Sequence, residues 1–134
     1  MMTLSFYVND WVVEPFSGNP TIGPSLETLT ILGAKNTDLV VNGGEYWRLF
    51  TSNFLHAGLI HFFLNMTSLW FVGQAVERYH DTLAALLIFC VSLVGGTILS
   101  ALFLPKYISI GASGEIFGLM GSCLSDILQN PQLL

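Results

Sequence analysis

The amino-acid sequence predicts an all-α fold, a polytopic helical bundle in a membrane, from three observations. Of the 134 residues, 52% are hydrophobic and only 10% are charged, and the mean hydropathy of +0.64 lies far from the soluble average. Apolar segments approach the roughly 20 residues that a membrane-spanning helix needs. Within them, small residues recur every four positions, a spacing that lets membrane helices pack closely. We therefore expect a multi-pass protein whose first partner is the lipid bilayer.

Charge and cysteine content exclude several classes of function. The net charge of −5 leaves no basic patch, so nucleic acid is not an expected partner. Cys90 and Cys123 lie in apolar runs with no second ligand at zinc spacing, which predicts neither a disulfide nor a metal site. We expect no cofactor. The N-terminus also lacks the features of a signal peptide.

The N-terminal residues are too short and too polar for a span. Residues 3–13 are apolar but contain Asn9 and Asp10, and they are only about half of a membrane-crossing helix. The sequence predicts that residues 1–14 are the remnant of a first helix.

Residues 15–58 contain many prolines and glycines, which predicts a loop rather than a span. Within this loop, residues 25–33 have an apolar i, i+3 pattern after Pro24 and end at a glycine. They predict a short amphipathic helix, and such a helix can lie in the membrane interface. We therefore expect a membrane-interfacial loop with short helices.

Glu45 and Arg48 lie three residues apart in this loop, on either side of Tyr46 and Trp47. One interpretation is a surface ion pair beside aromatic residues that anchor at the headgroup boundary. The alternative is that Arg48 bonds loop carbonyls and fixes the loop against the bundle. The sequence alone leaves both open.

Residues 59–134 are predicted to form the core, with helices at about 59–76, 82–104 and 113–128. The third is about 24 Å long at the helical rise, which is short for a bilayer of about 30 Å. Its N-terminus must then start below the membrane surface, which is tolerated where the free N–H groups line a water-filled cavity.

Small and polar residues form stripes on these helices. Polar side chains in a span must face the bundle or water, so the first helix carries a candidate functional face. Two further stripes consist of small residues that allow close helix contact. The three stripes are His61, Asn65 and Ser68, then Ser92, Gly96 and Ser100, and finally Gly114, Gly118 and Ser122.

Ser113 is the candidate nucleophile. A flexible turn at Gly111 delivers it to the first position of a helix, where free backbone N–H groups surround its hydroxyl. Singly, Ser113 reads as a helix cap, His61 as a buried histidine and Asn65 as an interhelical contact. Together they supply a nucleophile and the donors of an oxyanion hole. Because Glu115 occupies the place of a required glycine, the nucleophile elbow of soluble hydrolases is not supported.

Several segments resemble the rhomboid intramembrane proteases, and most of all the secretase-type members of eukaryotes. The resemblance covers about residues 19 to 130. Its motifs match in order and spacing: Asn19-Pro20-Thr21-Ile22-Gly23-Pro24-Ser25, Gly33-Ala34, Trp47-Arg48-Leu49-Phe50-Thr51, Phe54-Leu55-His56 followed by His61 and Asn65-Met66, and residues 109–121.

The resemblance implies a partial rhomboid-like bundle, with about three of the six core helices plus the first loop. It implies that Ser113 is the nucleophile and that His61, Asn65 and the Ser113 backbone N–H form the oxyanion hole. Substrates would be transmembrane helices of other proteins, cut without a metal or cofactor. Other residues are implied to support the site or the loop: Gly111, Gly114, Phe117, His56, Glu45 and Arg48.

The family's general base is a histidine two helices beyond the serine, and this sequence ends before that point. We therefore expect a fragment or an incomplete gene model, which alone would hydrolyse peptides too slowly to be useful. A non-catalytic rhomboid-like protein that binds transmembrane clients is the alternative, although the retained serine, histidine and asparagine argue against it. A channel subunit is less favoured because no repeat is visible. The family also implies a cytosolic turn at residues 77–81.

Overall fold

The computed structural model describes residues 1–130 and 132, and within these residues the regular structure is helical. This confirms the predicted all-α class. A 3-10 turn at Ser52–Phe54 follows the fourth helix, and an isolated β-bridge joins Lys35 to Ser109. The helices are α1 (Met2–Val8), α2 (Leu26–Ile31), α3 (Thr37–Val41), α4 (Arg48–Thr51), α5 (Leu59–His80), α6 (Thr82–Phe103) and α7 (Ser113–Gln129).

Three long helices build the bundle. In the described part of the chain, α5 and α6 are each long and apolar enough to cross a membrane. Helix α7 is shorter, at 17 residues, and it packs against both of them. The arrangement is that of a partial rhomboid-like bundle, as predicted.

The two predicted stripes of small residues meet where α6 packs on α7. A Cβ atom built on Gly96 would lie 3.6 Å from the Cα of Gly114, which is ordinary van der Waals contact. One turn along, a Cβ on Gly118 would lie 1.8 Å from Ser92 Oγ. At Gly118 the separation of α6 and α7 therefore leaves no room for a side chain.

The connection from α5 to α6 is shorter than the predicted turn at residues 77–81. Residues 77–80 are helical, and Asp81 alone, at φ 76°, separates the two helices. Its carboxylate caps α6 by accepting a bond from the Ala84 N–H at 2.9 Å. Charged residues at a helix end do not stop the helix, because Glu and Arg are good helix formers. The apolar run ends at Val76, whereas the helix continues to His80.

The N-terminal segment folds onto the loop. Helix α1 ends at Val8, and the chain then turns through Asp10 and Trp11, both at positive φ. Asn9 Oδ1 accepts bonds from the hydroxyls of Ser25 and Thr28 at the start of α2.

Helix α2 lies inside the predicted residues 25–33, with Ser25 as its N-cap. Helices α3 and α4 were not predicted. At the other end of the chain, α7 ends at Gln129. The sequence predicts that Asn130-Pro131 terminates this helix, and Pro131 lies outside the described residues.

Candidate active site

Ser113 is the first residue of α7 and its side chain is exposed. It lines a small cavity and a larger groove. One is a cavity of about 160 Å³ whose walls include Asn53, Thr97 and Ser109. The other is a groove of about 570 Å³ between α5 and α7, lined also by Asn65 and Phe117. The hydroxyl is therefore reached from both a polar cavity and an apolar groove.

His61 packs against the turn that leads to Ser113. Gly111 has φ 101°, a conformation that favours glycine. A Cβ atom built there would lie 2.7 Å from His61 Cε1 and 3.1 Å from His61 Nε2. Only glycine both adopts this positive φ without strain and leaves room for the imidazole beside the turn before Ser113.

The hydrogen bonds of His61 fix its tautomer. Its Nδ1 accepts a bond from the Ala57 backbone N–H at 3.1 Å. Because a backbone N–H can only donate, the proton of the neutral ring is on Nε2. This nitrogen is on the Gly111 side of the ring, and the site thus gains an N–H donor.

Asn65 lies one turn further along α5 and is buried, with 6% of its surface exposed. Its Nδ2 donates to the His61 carbonyl at 2.8 Å. An amide nitrogen carries two hydrogens, so one donor remains. Asn65 and Ser113 line the same groove, so Asn65 lies on the side of α5 that faces Ser113.

The loop around residues 19–24 holds the start of α5. The N–H groups of Leu59 and Ile60 donate to the carbonyls of Ile22 and Thr21, at 2.9 and 3.1 Å. Asn19 Nδ2 donates to the Ala57 carbonyl at 2.7 Å. Since Ala57 also bonds the His61 ring, this contact connects the motif that begins at Asn19 to the imidazole. Sequence reasoning noted the motif without its purpose.

We expect Asn19→Ala to lower the free energy of unfolding by about 2 kcal/mol, because the buried carbonyls of Pro24 and Ala57 lose their donor. Chemical unfolding in detergent micelles measures the change. Asn42→Ala is the matched control, since Asn42 is exposed and bonds only Asp38 on its own helix. Equal stability of the two variants would contradict the role given to Asn19.

Arg48 is buried, with 5% of its surface exposed, so the interpretation as a surface ion pair is wrong. Its Nη1 donates to the carbonyls of Thr30 and Ala34, at 2.5 and 3.1 Å. Its Nε bonds Glu45 at 2.6 Å, and the guanidinium lies 4.6 Å from the Trp47 ring centroid. Of the two alternatives, the structure has the one in which Arg48 fixes the loop through its carbonyls.

The other two histidines have separate environments. His56 is buried, 5.5 Å from the His61 ring between centroids, and its Nε2 has no hydrogen-bond partner in the described residues. Burial lowers the pKa of His56, and the neighbouring His61 lowers it further. His80 lies at the far end of α5 and bonds Asp126 at 2.7 Å. Asp126 is about 20 Å along α7 from Ser113 at the helical rise, so His80 is out of reach of the Ser113 hydroxyl.

Two buried charged residues escaped the sequence reasoning. Lys35 is fully buried beneath the end of α6, and Glu115 in the first turn of α7 is 1% exposed. Glu115 Oε2 has no hydrogen-bond partner among the described residues. The sequence contains one hint for Lys35. It is one of only four lysine and arginine residues in the chain, and it lies in an otherwise mostly apolar loop.

Chemically, these groups can stabilise negative charge beside an exposed hydroxyl. The first N–H groups of α7 are free of helical partners, and the His61 and Asn65 donors approach from α5. Gly114 faces α6 and supports this arrangement, whereas Phe117 is exposed in the groove one turn beyond Ser113.

Comparison with known sequences identifies the family of this chain. The Rhomboid domain family model matches residues 43–134. RHOMBOID-like protein 6, mitochondrial, from Arabidopsis thaliana is 48% identical over 117 residues, which cover 87% of this chain and 38% of that protein. Rhomboid protease GluP from Bacillus subtilis (strain 168) is 44% identical over 107 residues, which cover 80% of this chain and 21% of GluP.

One relative has a name that points away from catalysis. Inactive RHOMBOID-like protein 8 from Arabidopsis thaliana is 36% identical over 117 residues, which cover 87% of this chain and 33% of that protein. No solved structure matches. The chain spans less than half the length of these relatives. With a family model that covers more than half of its residues, the chain belongs to the rhomboid family.

Proposed function

We propose that the protein is an intramembrane serine endopeptidase, with multi-pass topology, that cuts transmembrane helices of other membrane proteins. One observation carries the proposal: the exposed Ser113 at the start of α7 shares a groove with Asn65, while the His61 ring packs on the turn before it. Family membership supports the same chemistry, and GluP is a relative named as a protease.

In the proposed reaction, Ser113 Oγ attacks the carbonyl carbon of the scissile peptide and gives its proton to a general base. The carbonyl oxygen becomes an oxyanion, which accepts bonds from His61 Nε2–H, the Asn65 amide and the Ser113 backbone N–H. Collapse of this intermediate breaks the C–N bond and releases the amine product with a proton. Water then hydrolyses the acyl-serine, which releases a carboxylic acid and restores the hydroxyl.

The general base is the histidine that the family resemblance implies on a later helix of the whole protein. In the described residues, His61 Nδ1 accepts a bond from the Ala57 N–H, His56 Nε2 is buried without a partner and His80 bonds Asp126. The walls of the cavity of about 160 Å³ beside Ser113 include hydroxyl and amide side chains. The cavity is large enough for several water molecules, which would serve the second step.

A fluorophosphonate probe tests the proposal, because it modifies only an activated serine. In membranes that contain the natural gene product, we expect labelling of wild type and none of Ser113→Ala. Ser122→Ala is the matched control, since Ser122 lies on the same helix and bonds only the Leu119 carbonyl. Equal labelling of wild type and Ser113→Ala would remove Ser113 as the nucleophile.

A non-catalytic protein that binds transmembrane helices is the second candidate. The similarity to Inactive RHOMBOID-like protein 8 favours it. It predicts that wild type is not labelled, although it still associates with membrane-protein clients, and that Ser113→Ala leaves this association unchanged.

A further inference from the structure

Lys35 is a lysine with none of its surface exposed. Lysine is almost never fully buried unless its charge is paired, yet the described residues place no carboxylate within ion-pair distance of it. Removing an ammonium from water is expensive unless hydrogen bonds replace the lost hydration. Its surroundings must therefore supply these bonds.

Backbone carbonyls at the end of α6 supply them. Lys35 Nζ donates to Tyr107 O at 2.7 Å, Leu104 O at 3.1 Å and Ser100 O at 3.3 Å, with Thr37 Oγ1 at 3.5 Å. Ser100 O and Leu104 O also accept the N–H groups of Leu104 and Tyr107, at 3.0 and 3.1 Å, and each uses its second lone pair for the ammonium. Carbonyls at the C-terminal end of a helix carry partial negative charge. A cation is thus stabilised there without an acid, and the turn after α6 is tied to the loop that carries Lys35.

The main chain of Lys35 makes a second connection. Its N–H donates to the Ser109 carbonyl at 3.0 Å, and its carbonyl accepts from the Ser109 N–H at 3.1 Å. Two residues later, the Gly111 N–H donates to the Ser52 carbonyl at 2.9 Å. The segment from Leu104 to Gly111 is therefore held at three successive points, immediately before Ser113.

We propose that Lys35 is a positioning residue for the nucleophile: its ammonium sets the path of residues 104–112, so that Ser113 begins α7 beside His61. This rests on the proposed function of Ser113. Lys35 touches neither Ser113 nor the oxyanion donors and acts through the segment between them. If residues 104–112 took another path, the ammonium would lose its carbonyl acceptors and become a buried unpaired charge. Other conformations of this segment are therefore disfavoured.

Lys35→Met tests the proposal because it keeps the length of the side chain and removes the donors. Amide hydrogen exchange of the 134-residue chain in micelles is the first measurement. We expect exchange at Ser109 and Gly111 to become at least about tenfold faster, which corresponds to about 1.4 kcal/mol, with α5 unchanged. Lys106→Met, an exposed lysine on the same connection, is the matched control and should change neither.

Serine reactivity in the natural gene product is the second measurement. We expect fluorophosphonate labelling of Ser113 to slow about tenfold in Lys35→Met and to recover in part in Lys35→Arg, with the KM for a peptide substrate unchanged. Uniformly faster exchange through α5, α6 and α7, or unchanged exchange at Ser109 and Gly111, would overturn the proposal. If wild type is not labelled but local exchange responds as expected, the proposed function is contradicted. The conclusion that Lys35 holds residues 104–112 in place is then still supported.

Discussion

Replacing Arg48 with leucine is expected to lower the free energy of unfolding by about 3 kcal/mol, because removing one partner of a buried charged network leaves the others unsatisfied. The carbonyls of Thr30 and Ala34 would lose their donor, and Ala34 is fully buried. Glu45 would lose its cation in a partly exposed setting, which adds less. Chemical unfolding in micelles measures the loss.

Arg78→Leu is the matched control for this prediction. Arg78 is exposed at the end of α5 and reaches only Gln74, at 3.4 Å, so we expect a change within about 0.5 kcal/mol. Arg48→Lys should recover part of the loss, since one ammonium cannot reproduce the planar fork of donors. If Arg48→Leu were as stable as Arg78→Leu, the loop would be held by other contacts.

Replacing Gly118 with valine is expected to separate α6 from α7, again at about 3 kcal/mol, the upper range for overpacking of a close contact. A Cβ at this position would lie 1.8 Å from Ser92 Oγ and 2.3 Å from Ser92 Cβ. A shift of a few tenths of an ångström cannot relieve a clash of this size, because one of the two clashing atoms, Ser92 Cβ, is fixed to the α6 backbone. The same unfolding measurement applies.

Three further variants separate this clash from a general effect of losing glycine. Gly121→Ala should be neutral or stabilising, because a Cβ there meets nothing within 4 Å and alanine is the better helix former. Gly118→Ala should destabilise the bundle, and adding Ser92→Gly should restore most of the loss. A double variant no more stable than Gly118→Ala would show that Ser92 is not the obstacle.

The bundle could be predicted because residues that are close together in the sequence determine each helix and its packing face. Apolar runs and residues spaced by four indicate which face of a helix packs, and the Gly96 and Gly118 stripes do meet in the structure. The N-terminal position of Ser113 on α7 followed from the glycine turn before it. These are features that a few neighbouring residues determine.

The loop contacts could not be predicted, because their partners are far apart in sequence. Lys35 bonds carbonyls 65 to 72 residues away, and no residue pattern marks a backbone carbonyl as an acceptor. For Arg48, the sequence allowed both a surface ion pair and bonds to loop carbonyls, and only the fold decides between them. The proposed roles of Ser113, His61 and Asn65 remain predictions until the labelling experiment.

The one-residue link at Asp81 has a consequence for depth. With α5 and α6 joined by one residue and packed together, the end of α6 and the start of α7 lie at the end of the bundle where α5 begins. His61 and Asn65 are two and six residues into α5, which is about 3 and 9 Å along its axis. In a hydrocarbon layer of about 30 Å, any peptide bond that these groups reach would therefore lie in the outer third of one side. A client helix would have to expose or unwind its end there, and a bond at mid-bilayer would be beyond reach.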